Sequence, residues 1–258
     1  MNIVLLGHDD IASLFAFASL VEMRPQHRYR LFVSGPLEAD TDAPPALAEL
    51  ARADRALFDA FRSRPDLPAP LLAGVPLPRP NSPEGLAALA AAAPDLVISV
   101  RYRRILREPA IAVPRLGVLN LHSGILPDYQ GVMATFWALL AGEPEIGCTL
   151  HRIVDAGIDT GPVVAIERSP ARPRASYLAN VLSLYPAGVR LLALAVDALA
   201  AGRALPASRK APGAGRYYTA PDRDALARFD AARLTLVDGS EADWLESCGG
   251  ASKNGGYS

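Results

Sequence analysis

Two short segments are apolar at nearly every position: Leu96-Val97-Ile98-Ser99-Val100, introduced by Asp95, and Gly117-Val118-Leu119-Asn120-Leu121-His122. A strand with one solvated face alternates apolar and polar residues, so an almost unbroken apolar run implies burial on both faces, as in the centre of a parallel sheet. Such a sheet needs helices above and below it, and the rest of the chain supplies them. Asn2-Ile3-Val4-Leu5-Leu6-Gly7 reads as a first strand. Residues 11–23 then carry Leu14, Phe15, Phe17, Ala18 and Val21 at the mixed spacings of three and four of a buried helix, with Asp10 as its N-cap. Residues 30–35 read as a second strand, so strand, helix and strand form a parallel unit with a right-handed crossover. A helix follows over residues 46–61, then irregular, proline-rich chain, and Asn81, Ser82 and Pro83 start another helix. Further helices are predicted over 134–141, 175–201 with a kink at Pro186, and 225–229, and a strand pair over 148–154 and 163–166. The alternation predicts an α/β fold, a three-layer sandwich with a mostly parallel twisted sheet.

At 258 residues the chain exceeds one average domain and falls short of two. With 50% hydrophobic and 21% charged residues it can build a core and is not a disordered polyelectrolyte. The 26 Lys and Arg nearly balance the 27 Asp and Glu, which disfavours nonspecific polyanion binding, so no nucleic-acid partner is expected. Two cysteines, Cys148 and Cys248, form no disulfide framework and fit a reducing, cytoplasmic setting. The N-terminus lacks a signal-peptide pattern. No apolar run approaches the roughly 20 residues a membrane span requires, and residues 191–201 are interrupted by Asp197, so no membrane is expected.

The segment Asn120-Leu121-His122 carries the first chemistry. If the strand continues through His122, its period of two points Asn120 and His122 to the same side, joining an amide donor and a titratable imidazole. At the C-terminal end of a parallel strand, where open α/β sheets bind ligands, such a pair stabilises an oxyanion and manages a proton. The plainer alternative is an asparagine bonded to its loop and a satisfied core histidine. The second segment, Asp155-Ala156-Gly157-Ile158-Asp159-Thr160-Gly161, either brings an acid toward His122, orienting its ring, or is an ordinary Asp/Gly turn. No metal site is expected.

Asn120-Leu121-His122, Leu126-Pro127 with Tyr129 and Gly131, Trp137-Ala138, Gly142-Glu143, Gly147 with Thr149-Leu150-His151, and Ile158-Asp159-Thr160-Gly161 together resemble the catalytic domain of the folate-dependent formyltransferases. That group includes the methionyl-tRNA, glycinamide ribonucleotide, sugar-amine and hydroxyornithine enzymes. The resemblance is dense over about residues 95–164 and vaguer toward the N-terminus. It implies a Rossmann-like sheet and transfer of a formyl group from 10-formyltetrahydrofolate to an amine, with Asn120, His122 and Asp159 as the catalytic trio. It also implies a folate pocket around Arg104-Ile105-Leu106, Leu126 and the loop holding Asp155 and Gly157; the plainer alternative has Ile105 and Leu106 in the core and Tyr102 with Arg101, Arg103 and Arg104 on a solvated face. Two positions depart from the usual pattern: Gly124, where relatives often carry Ser before a Leu-Leu-Pro element, and Gln130, where many have Arg.

The acceptor is read from two regions. Some relatives hold a substrate phosphate at the turn after the first strand, where a helix N-terminus offers free amides. Here that turn is Gly7-His8-Asp9-Asp10, whose carboxylates repel a phosphate. The expected acceptor is therefore cationic or hydroxyl-rich, or binds its anion elsewhere, with Asp9, Asp10 and Tyr129 as candidate contacts. The plainer assignment has Asp10 capping the helix and Asp9 solvated. Residues 1–202 are expected to form the catalytic domain and 203–258 a linker-like extension with a flexible end. That extension is too short for the separate C-terminal domain of the transfer-RNA enzymes, and residues 215–221 resemble the end of some sugar-amine ones, with Tyr217 and Tyr218 packing onto the core or stacking on a ligand. The resulting expectation is a small amine, such as an amino sugar or a hydroxyornithine-like compound. The alternatives are transfer RNA, a purine precursor, or a noncatalytic folate- or nucleotide-binding module. A homodimer is compatible with the sequence.

Overall fold

The computed structural model describes residues 1–35, 44–206 and 215–251. Strand β1 (Asn2–Gly7), helix α1 (Ile11–Met23) and strand β2 (Arg28–Val33) form the first parallel unit. Helices α2 (Pro45–Arg62) and α3 (Ala69–Leu72) lead to a two-residue edge strand β3 (Val75–Pro76), an element within the stretch expected to be irregular. Helix α4 (Pro83–Ala91), strand β4 (Leu96–Ser99), helix α5 (Glu108–Ile111) and strand β5 (Val118–His122) complete the parallel part. The chain then forms β6 (Gln130–Gly131), α6 (Ala134–Leu140), β7 (Glu145–Ile153), β8 (Val163–Pro170) and the long helix α7 (Tyr177–Ala200). It ends in β9 (Tyr217–Tyr218), α8 (Arg223–Ala231) and α9 (Ser240–Ala251).

The central sheet has the order β3-β2-β1-β4-β5-β7-β8; its first five strands run parallel and the last two are antiparallel. Why the central strands are uniformly apolar is visible in how their residues divide. Ile3, Leu5, Leu96, Ile98, Leu119 and Leu121 join the core that contains α1 and α7, while Val4, Leu6, Val97 and Val118 join a second core with Leu89 of α4 and Ala110 of α5. Successive side chains point to opposite faces, and both faces are covered.

Local signals set the helix starts. The Asp10 side chain accepts a hydrogen bond from Ser13 N, Ser82 from Gly85 N, Ser176 from Ala179 N and Asp222 from Ala225 N, each satisfying an otherwise orphan amide. Pro186 lies inside α7. Helix α7 is long and apolar enough to cross a membrane by length and composition, which the expectation from uninterrupted runs did not anticipate, and 67% of its most apolar stretch is buried inside the fold.

The C-terminal region packs on the core more fully than a linker would. Phe229 of α8 stacks on Phe136 at 4.4 Å, Trp244 of α9 meets Phe15 edge-on at 5.2 Å, and the buried Glu241 carboxylate accepts from Ser176 Oγ at 2.6 Å. Tyr218 stacks on Tyr129 and Trp137, the packing alternative for this residue. Helix α9 was not legible as an element among its glycines and serines. Residues 207–214 and 252–258, which carry most of the expected linker and the expected flexible end, lie outside the described residues.

Candidate functional site

Strand β5 continues the row Val118, Asn120, His122 along one face of the sheet, so the amide and the imidazole share a side as the strand period requires. The antiparallel strand β7 adds a residue that spacing could not reveal. In its register Asn120 stands opposite His151, and the Asn120 amide Nδ2 lies 3.0 Å from His151 Nε2. The loop between β7 and β8 folds back and delivers Asp159, a residue with φ of +53°, a left-handed conformation that Asp tolerates better than most side chains. Asp159 Oδ2 lies 3.5 Å from His122 Nδ1 and Oδ1 lies 3.3 Å from His151 Nε2. Asp159, 39 positions beyond Asn120 in sequence, therefore meets Asn120 and His122, with His151 as a fourth member of the cluster.

The surrounding bonds fix the protons. His122 Nε2 donates to the Tyr129 carbonyl at 2.7 Å, since a carbonyl only accepts, and this leaves Nδ1 facing the carboxylate. His151 Nδ1 donates to the Arg152 carbonyl at 3.1 Å; its Nε2, 3.0 Å from the Asn120 amide and 3.3 Å from Asp159 Oδ1, accepts from the amide when bare and donates to the carboxylate when protonated. Asp159 Oδ2 accepts from Gly131 N at 2.9 Å, and the Asp159 carbonyl accepts from Gln130 Nε2 at 3.0 Å. Gln130, one of the two departures from the family pattern, thus anchors the acidic loop. Burial by itself would raise the Asp159 pKa; the charge of His122, the bond with His151 and the Gly131 amide together outweigh it and hold the group at about 2. The site presents an ionised acid beside two imidazoles, with a second Asn120 amide hydrogen only loosely held, 3.5 Å from Asp159 Oδ1. Such a group can donate to a developing oxyanion and take a proton from a nucleophile.

The other expected residues occupy varied positions. Ile105 is 48% exposed, while Leu106 is buried in the second core, so of the two only Leu106 is a core residue. They sit with Arg104 on the loop that leaves β4, the strand paired with β5 through Ser99 and Asn120. Leu126 is buried, and its amide donates to Thr149 Oγ1. Asp155 Oδ1 accepts from Gly157 N at 2.7 Å, closing a tight turn; a Cβ at Gly157 would collide with Thr160 Oγ1. Tyr129 enters the site through its carbonyl. Its ring is turned away, the hydroxyl donates to Glu143 at 2.8 Å, and it lines a cavity of about 360 Å³ with Asp128, Glu143, Arg168, Arg216 and Tyr218. Asp9 is half-buried. Asp10 is not available to an acceptor: it is 1% exposed, caps α1 and pairs with Arg101 Nε at 2.7 Å. Among the described residues no group of three or more His, Cys, Asp or Glu is placed to hold a metal ion.

This geometry belongs to the segment that matches the formyl transferase family model, residues 77–179, which contains Asn120, His122, His151 and Asp159. Residues 77–179 belong to the formyl transferase family. It is 37% identical over 180 residues to a methionyl-tRNA formyltransferase from Acidothermus cellulolyticus, an alignment covering 66% of this chain and 54% of that protein. The chain spans from 33% to 54% of the length of the first curated formyl transferases it matches. In fold it is similar to glycinamide ribonucleotide transformylase 1 from Symbiobacterium toebii, with a TM-score of 0.56, 24% identity and coverage of 81% of this chain and 92% of that one. It is likewise similar to a sugar N-formyltransferase from Shewanella, with a TM-score of 0.55, 17% identity and coverage of 84% and 76%.

Proposed function

We propose that this formyl transferase moves the formyl group of 10-formyltetrahydrofolate to the amine of a small biosynthetic molecule, with Asn120, His122 and Asp159 as the catalytic residues. The observation that carries the reading is the meeting of these three side chains at the end of β5, with His151 holding the Asn120 amide and Gly131 N holding the carboxylate. Arg104, Ile105, Leu106, Leu126, Asp155 and Gly157 are assigned to the donor side. The exposed Ile105 and the tight turn at Gly157 suit a flat heterocycle.

In this reading the neutral amine attacks the formyl carbon and the carbonyl π pair moves onto oxygen. The free Asn120 amide hydrogen and the Nδ1–H of the His122 imidazolium, whose other proton stays on Nε2 toward the Tyr129 carbonyl, stabilise that oxyanion; the 3.5 Å gap from Nδ1 to Asp159 is too long for a strong direct bond and leaves the nitrogen available. Asp159, ionised throughout the neutral range, takes the amine proton directly or through a water. Collapse of the intermediate re-forms the carbonyl and breaks the bond to the folate nitrogen, which picks up a proton and leaves as tetrahydrofolate.

The acceptor is the finer part of the reading. The near-neutral charge of the chain supports a small amine. The name of the Acidothermus relative favours a transfer-RNA acceptor, and this is retained as the second reading. The deciding assay incubates the protein and 10-formyltetrahydrofolate with amino sugars, hydroxyornithine, glycinamide ribonucleotide and charged initiator transfer RNA, following tetrahydrofolate release. Turnover with a small amine supports the proposal, and turnover confined to the charged transfer RNA supports the second reading. Folate binding without turnover across the panel indicates a binding module. His122→Ala is expected to bind folate and to lose on the order of a hundredfold or more in transfer rate.

A further inference from the structure

The loop that leaves β4 runs through Arg101 to Arg107 before α5 and contains Arg104, Ile105 and Leu106, three of the residues assigned above to the donor. Its backbone is held from both ends by side chains that touch none of the reacting groups. At the start, Ser13 Oγ of α1 donates to the Val100 carbonyl at 3.0 Å, and Asp10, which caps the same helix turn, pairs with Arg101 Nε at 2.7 Å. The Arg101 charge also opposes the upward push that burial gives the hydroxyl of Tyr177, a buried residue in the first turn of α7. At the end, one carboxamide holds two backbone groups: Asn81 Nδ2 donates to the Ile105 carbonyl at 2.8 Å and Asn81 Oδ1 accepts from Arg107 N at 2.8 Å.

Arg101 makes this arrangement unusual. Its φ is +55°, in the left-handed region where a non-glycine residue carries a cost, and a glycine would turn the chain there more cheaply. A residue kept in a costly conformation while its side chain is fastened to the capping carboxylate of α1 indicates that the surroundings over-determine the turn. The competing carboxylate nearby is Asp54 of α2, pushed up to about 7 by burial and by the Asp10 charge. Asp10 is held below the ordinary carboxylate range: burial opposes this, but Arg101, the Ser13 amide and Arg103 prevail. Asp10 is thus the principal counter-charge of Arg101.

We propose that Arg101, through its ion pair with Asp10, and Asn81, through its two hydrogen bonds to the loop backbone, are positioning residues that preset segment 102–107 for the folate donor. This rests on the donor reading given above and adds residues outside the family's catalytic trio. A preset loop binds without first losing conformational entropy, so loosening it weakens binding while leaving the reacting groups in place. It also assigns the two carboxylates of the Gly7–Asp10 turn differently from their expected effect on the acceptor, because Asp10 is consumed by the loop.

The test uses the full chain with 5-formyltetrahydrofolate as the probe, in wild type, Arg101→Gly, Arg101→Lys, Asp10→Asn, Asn81→Ala and the Arg101→Gly/Asp10→Asn double variant. Arg101→Gly keeps the left-handed turn but removes the pair, Arg101→Lys keeps the charge, and Asp10→Asn keeps the cap. Expected results are a Kd about tenfold or more higher for Arg101→Gly and for Asn81→Ala, partial rescue by lysine, and faster amide exchange confined to residues 102–107. The double variant should bind no worse than the poorer single one, because both changes break one pair. Wild-type binding that persists unchanged in Arg101→Gly and Asn81→Ala overturns the proposal and spares the donor reading. A wild type that does not bind the probe while its 102–107 amides are protected overturns the donor reading and the proposal together. If Asp10→Asn does not fold, the comparison of Arg101→Gly with Arg101→Lys and the Asn81→Ala variant still decide.

Discussion

Asp159 is buried among two imidazoles and a backbone amide, and its carboxyl sits at about 2 against an ordinary value near 3.8. Because the folded-state pKa is depressed, the associated stability is complete above the unfolded value and is lost as pH falls toward 2; the shift corresponds to about 2 kcal/mol. Unfolding wild type and Asp159→Asn with urea between pH 6 and 2 should give a stability difference that shrinks as the pH falls; a difference constant across this range would remove the electrostatic assignment. Gly124 makes a second residue-scale prediction. A Cβ there would lie 2.5 Å from His122 Nε2, 2.6 Å from Ala134 Cβ and 2.8 Å from the Tyr129 carbonyl oxygen, crowding the bond that sets the His122 ring. Gly124→Ala should cost about 1–3 kcal/mol by overpacking, visible as a lower urea midpoint, and should slow transfer even with the donor saturating. The departure from Ser at this position is thus compatible with the site only for a residue without a side chain.

At the scale of elements, the period of β5 sufficed to align Asn120 with His122, because the alternation of a strand is a local property of its backbone. Nothing in the spacing of His151 assigns it to the site. Its place follows from the antiparallel pairing of β7 with β5, which opposes it to Asn120 across 31 positions of sequence. His151→Ala should free the Asn120 amide plane, and a misplacement of a catalytic group on the order of 1 Å costs about a hundredfold. The expected outcome is a large loss of transfer rate with 5-formyltetrahydrofolate affinity retained, measured by steady-state kinetics and calorimetry. Normal turnover would reduce His151 to a core histidine. Asp10 illustrates the opposite case. Its capping role was readable from its position before an apolar-periodic stretch, whereas its pairing with Arg101 joins residues 91 positions apart and depends on β1 and β4 being neighbours.

For the whole molecule, the C-terminal segment is joined to the same buried cluster as α1 and α7, through Phe229, Leu234 and Leu245. Phe229→Ala, at 2% exposure and stacked on Phe136, should destabilise the fold by about 3–5 kcal/mol and lower the midpoint of a single cooperative transition. An early, separate transition for residues 215–251 would show instead that the segment folds independently. Composition suggested a linker here because glycine, serine and proline mark punctuation locally, but burial of a few aromatics against distant helices outweighs that signal. The sequence by itself determined the two-faced burial of the central strands, the capped helix starts and the shared face of Asn120 and His122, since each arises from contacts within a few residues. Only the tertiary structure decided that Asp159 and His151 meet that pair, that Asp10 serves Arg101 and the loop after β4, and that the tail belongs to the core. Those outcomes depend on strand order and register, which no local pattern of residues encodes.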